Sequence, residues 1–195
     1  MNEETLSSGF FGEDITLDIY TDLKEFYTPA NGFSRLHLCR RYGKLHILKS
    51  LQPFYSSQEF YKQLLLKEFN IGYQLDHPNI RHTLGWEKND LLGNYIVLEY
   101  IDGIPLTTFI EQGKLTQALA YKFITEICNA LQYIHSKQLI HKDLKPNNIL
   151  ITHNGNNVKL IDFGLADCDD YEILKIPAGT EKYLAPEQLN PNATL

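Results

Sequence analysis

Ten residues, His141-Lys142-Asp143-Leu144-Lys145-Pro146-Asn147-Asn148-Ile149-Leu150, constrain this chain more than any other stretch. They set a carboxylate, an ammonium and a carboxamide at offsets of zero, two and five, with Leu144, Ile149 and Leu150 as apolar anchors. A phosphoryl transfer uses three such groups: one orients a hydroxyl, one neutralises the moving phosphate, one holds a metal ion. A lone Asp-x-Lys carries little weight. This spacing is rare by chance.

The rest of the sequence suits a folded setting for that loop. At 195 residues the chain buries a core and forms one domain or two small lobes. With 43% hydrophobic and 22% charged residues it is globular rather than disordered. A net charge of −6 argues against a nucleic-acid partner, which selects a basic face. Cys39, Cys128 and Cys168 are odd in number and lack metal-ligand spacing, so they read as free thiols in a reducing compartment. Met1–Gly12 is polar and acidic, without the apolar stretch of a signal peptide. No run approaches a membrane span, so no membrane partner is expected and the location is expected to be cytoplasmic.

Turn signals and periodicity divide the chain into a polar tail (1–14), a strand-rich lobe (15–101) and a helix-led lobe (102–195). Leu36–Cys39 and Leu45–Lys49, joined through Tyr42-Gly43-Lys44, predict two strands and a turn. Ser57–Leu75 predicts a helix with Phe60, Leu64 and Ile71 on one face and a serine cap. It stops before Asp76-His77-Pro78-Asn79, because proline restricts the residue before it. Asn94–Ile101 predicts a buried strand. Beyond the break at Asp102-Gly103-Ile104-Pro105, Leu119, Phe123, Ile127, Leu131 and Ile134 mark an amphipathic helix over Thr116–Ser136. Short strands follow at Ile149–Ile151 and Val158–Ile161, around the turn His153-Asn154-Gly155-Asn156.

The opening run resembles the catalytic loop of the eukaryotic-type protein kinases, and other stretches match the same family in the same order. Asp162-Phe163-Gly164 resembles its metal-binding motif, and Ala185-Pro186-Glu187 the motif that closes the activation segment. Lys49 resembles the lysine that pairs with the α- and β-phosphates of ATP. Glu68, nineteen residues later, resembles its ion-pair partner, and His77-Pro78-Asn79-Ile80 follows at the family's interval. Without that context Lys49 is a surface lysine and Lys67-Glu68 a solvated helix face. The resemblance covers roughly residues 20 to 190.

The resemblance implies an α+β, two-lobed kinase-like fold: an antiparallel-sheet first lobe and a partial helical second lobe. It implies a protein kinase of the serine/threonine group, using ATP and Mg²⁺ on a protein substrate. Asp143 would orient the substrate hydroxyl and Lys145 would stabilise the γ-phosphoryl group. Asn148 and Asp162 would hold Mg²⁺ through hard oxygen ligands. Asn31, Gly32, Leu36, Ile47, Lys49, Glu68, Glu99 and Ile101 would bind ATP, with Leu36 and Ile47 above the adenine and Glu99 and Ile101 at the strand-to-hinge edge. Lys145 and Thr180 match the serine/threonine group rather than the tyrosine group. Tyr171 and Thr180 are candidate phosphorylation sites.

Several positions depart from the family pattern. The three glycines of the nucleotide-covering loop become Pro29, Asn31 and Ser34; Asn31 tolerates positive φ, whereas Pro29 lacks an N–H donor. Gly72 stands where a bulky apolar residue links the Glu68 helix to the aspartate motif, which predicts a helix less firmly held. Lys142 replaces an arginine, a point charge in place of a bidentate fork. Ile176 replaces the usual phosphorylated residue, and the acidic run Asp167–Glu172 is expected to substitute in part for phosphate charge. The chain ends eight residues after Glu187, before the remaining helices of the family. A fragment of a longer protein is therefore expected, or else a partner that covers the helix over 116–136. The rival to an active kinase is a pseudokinase acting as a binding or scaffold module. A small-molecule phosphotransferase is disfavoured by Ala185-Pro186-Glu187.

Overall fold

Five antiparallel strands form the first layer: β1 (Tyr20–Tyr27), β2 (Ser34–Arg41), β3 (Lys44–Leu51), β4 (Thr83–Asn89) and β5 (Gly93–Glu99), in the spatial order β1-β2-β3-β5-β4. They belong to a computed structural model that describes residues 20–28, 32–166 and 180–189. The expectations for Met1–Gly12, Pro29, Asn31, Cys168, Tyr171, Ile176 and the Asp167–Glu172 run lie outside these residues.

Alternation across β3 splits the first lobe into two apolar clusters, since successive side chains face opposite sides of a sheet. Ile47 and Leu51 pack with Leu65, Ile96 and Leu98 on one face, while Leu48 packs with Cys39, Tyr95 and Val97 on the other. The β2–β3 hairpin turns at Tyr42 (φ 50°) and Gly43 (φ 78°), and Arg41 pairs with Lys44. Two successive positive φ values give the turn whose twist matches the flanking strands.

One helix, α1 (Glu59–Tyr73), covers the face that holds Ile47 and Leu51. It is shorter than the predicted Ser57–Leu75. Gln58 caps it without a side-chain hydrogen bond, so the expected serine cap does not form. Leu64 and Ile71 are buried as expected, but Phe60 is 44% exposed. It lies in the first turn, stacked edge-on against Tyr61. Lys67 and Glu68 are both buried, so the solvated helix face that this pair suggests without the family context does not form.

The second lobe holds a small sheet, β6 (Gly103–Pro105), β7 (Ile149–Thr152) and β8 (Val158–Leu160), in sequence order. With it pack α2 (Leu106–Glu111) and α3 (Gln117–Ser136). Thr116 caps α3 by accepting a hydrogen bond from the Leu119 N–H at 3.3 Å. Phe123 and Ile134 are buried, and Leu119, Ile127 and Leu131 are partly buried on the same core. The stripe packs on this lobe's core but leaves Leu119, Ile127 and Leu131 half-buried. Tyr121 (64%) and Ile124 (59%) are the exposed large apolar residues of α3.

His77-Pro78-Asn79-Ile80 ties the first lobe to the second. Asn79 donates through Nδ2 to the Val158 carbonyl at 3.0 Å, and Ile80 bridges Leu160. Among the described residues no helix is long and apolar enough to cross a membrane.

Candidate active site

The alternation that buries Ile47 and Leu51 also turns Lys49 toward α1. Its Nζ donates to Glu68 Oε1 at 2.6 Å and to Asp162 Oδ1 at 3.0 Å. Lys49 and Glu68 are 6% and 5% exposed, so the pair is almost fully desolvated. Burial opposes the lysine charge, but Asp162 and Glu68 outweigh it and raise the Lys49 pKa. Burial pushes Glu68 up, with Lys49 opposing. The same ammonium holds the Asp162 carboxyl well below the ordinary carboxylate range. Glu68 Oε2 is buried without a hydrogen-bond partner among the described residues.

On the far side of the catalytic loop, Asp143 gathers three side-chain donors. Thr180 Oγ1 donates to its Oδ1 at 3.0 Å; Lys145 Nζ and Asn148 Nδ2 donate to its Oδ2 at 2.7 and 2.9 Å. Lys145 Nζ also reaches Thr180 Oγ1 at 2.6 Å, closing a ring of three residues. The offsets of two and five in the sequence thus become direct contacts. The turn Pro146–Asn148 brings Asn148 back beneath Asp143, where its Nδ2 also bonds the Asp143 carbonyl at 2.9 Å.

Backbone strain lies at Asp162 and at the residue before Asp143. Lys142 (φ 61°) and Asp162 (φ 67°) sit in the left-handed region, which costs a non-glycine residue about 1–3 kcal/mol. Tertiary bonds hold the first of them: Gln188 Nε2 donates to the Lys142 carbonyl at 2.9 Å. His141, packed against Phe163 with ring centroids 5.0 Å apart, props both loops. The Asp143 N–H donates to its Nδ1 at 3.3 Å, so the ring proton sits on Nε2, facing the Ile161 carbonyl at 3.4 Å.

The predicted nucleotide residues are less uniform. Gly32 offers its carbonyl to Gln52 Nε2 at 2.7 Å, and Asn31 lies outside the described residues. Leu36 and Ile47 share one cluster with Leu98, and Ile101 is nearly buried. The Glu99 side chain is committed elsewhere: it pairs with Lys159 at 3.2 Å and accepts from the His82 N–H at 3.0 Å. Its backbone N–H is also engaged, donating to the His82 carbonyl at 3.0 Å. Gln188 and the bonding of Thr180 to Asp143 carry no signal in the local sequence, because each depends on a contact closed by the fold.

The donor set suits a hard cation beside phosphate. Asn148 spends its amide nitrogen on Asp143 and keeps its carbonyl oxygen, and Asp162 binds Lys49 and the Gly164 N–H through the same oxygen, Oδ1. Mg²⁺ is typically held by one or two such protein oxygens together with substrate phosphates.

Comparison with known proteins places this geometry in a family. The protein kinase domain matches residues 32–194. The chain is 40% identical over 131 residues to the serine/threonine-protein kinase RUNKEL of Arabidopsis thaliana, covering 65% of this chain and 9% of that protein. It is 34% identical over 150 residues to serine/threonine-protein kinase ppk25 of Schizosaccharomyces pombe, covering 76% and 35%. With serine/threonine-protein kinase PrkC of Bacillus subtilis it shares 35% over 147 residues, covering 72% and 22%. The chain thus spans about a third or less of the length of these relatives. It belongs to the eukaryotic-type protein kinase family, in the serine/threonine group.

Proposed function

We propose that the chain transfers the γ-phosphoryl group of ATP to a serine or threonine hydroxyl of a protein substrate, with Mg²⁺. The observation that carries this reading is the Asp143 carboxylate. It is 8% exposed, ionic with Lys145, and already accepts a hydrogen bond from an aliphatic hydroxyl, that of Thr180.

An incoming serine or threonine hydroxyl donates to Asp143 in the same manner, which orients its oxygen for attack and gives its proton a destination. Lys145 sits 2.7 Å from that carboxylate and supplies positive charge where the phosphoryl group passes. Lys49 faces the α- and β-phosphates, and Glu68 fixes the direction of its ammonium. Asn148 and Asp162 hold Mg²⁺, which supplies charge neutralisation at the phosphate oxygens when bound. Leu36, Ile47 and Ile101 frame the apolar slot for adenine, and Glu99 lies at its strand-to-hinge edge. Residues 15–101 thus carry the nucleotide and 102–195 the transfer groups.

The test is transfer of labelled phosphate from ATP to a generic protein substrate by the wild type, Asp143→Asn and Lys49→Met. Asp143→Asn should lose about 10²–10⁴-fold in rate while still binding nucleotide. Transfer that persists in both variants sinks these roles. Mg-ATP-dependent thermal stabilisation without any transfer by the wild type identifies a binding module instead.

A further inference from the structure

A fourth charged residue, Arg81, stands behind the Lys49–Glu68–Asp162 cluster. Its backbone N–H donates to the Leu160 carbonyl at 3.0 Å, two residues before Asp162. On its other side the chain enters β4, where the Thr83 side chain fills the space beside Gly72. Positions 68 and 72 share a helix face, being one turn apart, and side chains two apart in an extended segment point the same way. The contact of Thr83 with Gly72 thus brings the segment just before β4, which carries Arg81, alongside the turn of α1 that carries Glu68.

The electrostatics agree with that placement. Desolvation lowers the Arg81 pKa, while Asp162, Glu68 and Glu99 each favour its charged form. The same guanidinium opposes the rise that burial gives Glu68 and adds to the effect of Lys49 in lowering Asp162. Charge balance needs it: Lys49 alone faces two carboxylates, and Glu68 Oε2 is buried without a hydrogen-bond partner among the described residues. Once Lys49 is shared with phosphates, Glu68 loses part of its counter-charge in a desolvated site, where an uncompensated carboxylate is costly.

We propose that Arg81 is a positioning residue of the nucleotide site, a second internal cation that keeps Glu68 turned inward while Lys49 engages phosphate. The role of Lys49 in this statement rests on the function proposed above; the placement of Arg81 beside Glu68 does not. Arg81 touches neither substrate nor metal. It acts through Glu68.

Two variants and two readouts decide the matter. Arg81→Met keeps the aliphatic length without the charge, and Arg81→Lys restores a charge. The first readout needs no nucleotide: Trp86, the chain's one tryptophan, packs against Phe69 of α1 with ring centroids 5.5 Å apart and reports the seating of that helix. Acrylamide quenching of Trp86 should rise in Arg81→Met and return toward wild type in Arg81→Lys. The second is Mg-ATP affinity by calorimetry, with the KM-against-kcat split where turnover is measured. Arg81→Met should weaken Mg-ATP by about tenfold, the scale seen when a group supporting binding residues is removed, chiefly in KM, and Arg81→Lys should recover most of it. Unchanged quenching in Arg81→Met, or Arg81→Lys no better than Arg81→Met, overturns the proposal. A wild type that does not bind Mg-ATP overturns the proposed function, and the quenching arm still decides the placement of Arg81.

Discussion

Thr83 occupies the space into which any side chain at Gly72 would project. A Cβ built on Gly72 would overlap Thr83 Oγ1 and lie 3.3 Å from Thr83 Cβ. The sequence predicts a loosely held helix here, because the family's bulky residue is missing. The contact shows a different solution: α1 and β4 approach closely, and the linking volume comes from the strand. A glycine inside a helix costs about 0.5–1 kcal/mol relative to alanine, so the close approach must return at least that much.

The first prediction is a double-mutant cycle. Gly72→Ala gains helix propensity but forces Thr83 aside, and overpacking of this kind costs about 1–3 kcal/mol. The single variant should be less stable than wild type. Thr83→Ala opens the space, so Gly72→Ala/Thr83→Ala should be more stable than the sum of the two singles. Additive denaturation free energies would show that the two positions do not share this volume.

The second prediction concerns the buried pair. Removing one partner of a buried, hydrogen-bonded ion pair costs about 3–5 kcal/mol, whereas an exposed pair contributes about 0–1. Lys49→Met should therefore destabilise the protein far more than Lys62→Met, whose lysine pairs with Glu59 at the surface. Chemical denaturation measures both. Equal losses would mean that Lys49 is solvated in the folded state.

The third prediction separates the hydroxyl of Thr180 from its shape. Thr180→Val removes one donor to Asp143 and one acceptor for Lys145 while keeping the volume. An unsatisfied buried polar group costs about 1–3 kcal/mol, which corresponds to roughly five- to 150-fold in kcat/KM if the loss falls on the reacting geometry. Thr180→Ser should keep most of the activity. A valine variant with wild-type kinetics would place Thr180 outside the working site.

What the sequence revealed follows the range of the interactions involved. The helix over Thr116–Ser136 is one residue longer than α3, because its periodicity is long and Thr116 is a local cap. The hairpin around Tyr42-Gly43 was equally legible, since two residues decide its turn. β1 and β4 left no comparable signal. They are the edge strands: β1 is mostly exposed and β4 mostly half-buried, and neither holds a fully buried side chain to give apolar alternation. In the site, Asp143, Lys145 and Asn148 were readable because five residues of chain bring them together. Lys49 and Glu68 were readable only through a resemblance. Composition marks both as solvated, and burial of each becomes favourable only beside the other. Arg81 and Gln188 were not readable, for their partners lie on strands and loops far along the chain.

The fourth prediction is a pH dependence seated in His141. This ring is 3% exposed, and its Nδ1 accepts a hydrogen bond from the Asp143 N–H. Burial lowers its pKa below the ordinary 6.5, with Asp162 and Asp143 opposing. The sign follows from linkage. Below about pH 6.5 the unfolded chain takes up a proton that the folded ring refuses, so stability falls as pH drops, by at most about 1.4 kcal/mol per unit for one group. His37 and His77 are lowered as well and add in the same direction, whereas Glu68, whose pKa is raised, titrates with the opposite sign from about pH 4.5 upward. These three are common to wild type and a His141→Leu variant, so the difference between the two isolates His141. Denaturation between pH 7 and about pH 5.5 should give a shallower slope for His141→Leu than for wild type. Ring ¹⁵N shifts should show the neutral Nε2–H form of His141 persisting below pH 6.5. Parallel slopes, together with an imidazolium signal near pH 6.5, would mean that the ring is open to solvent and that the Asp143 N–H lacks this acceptor.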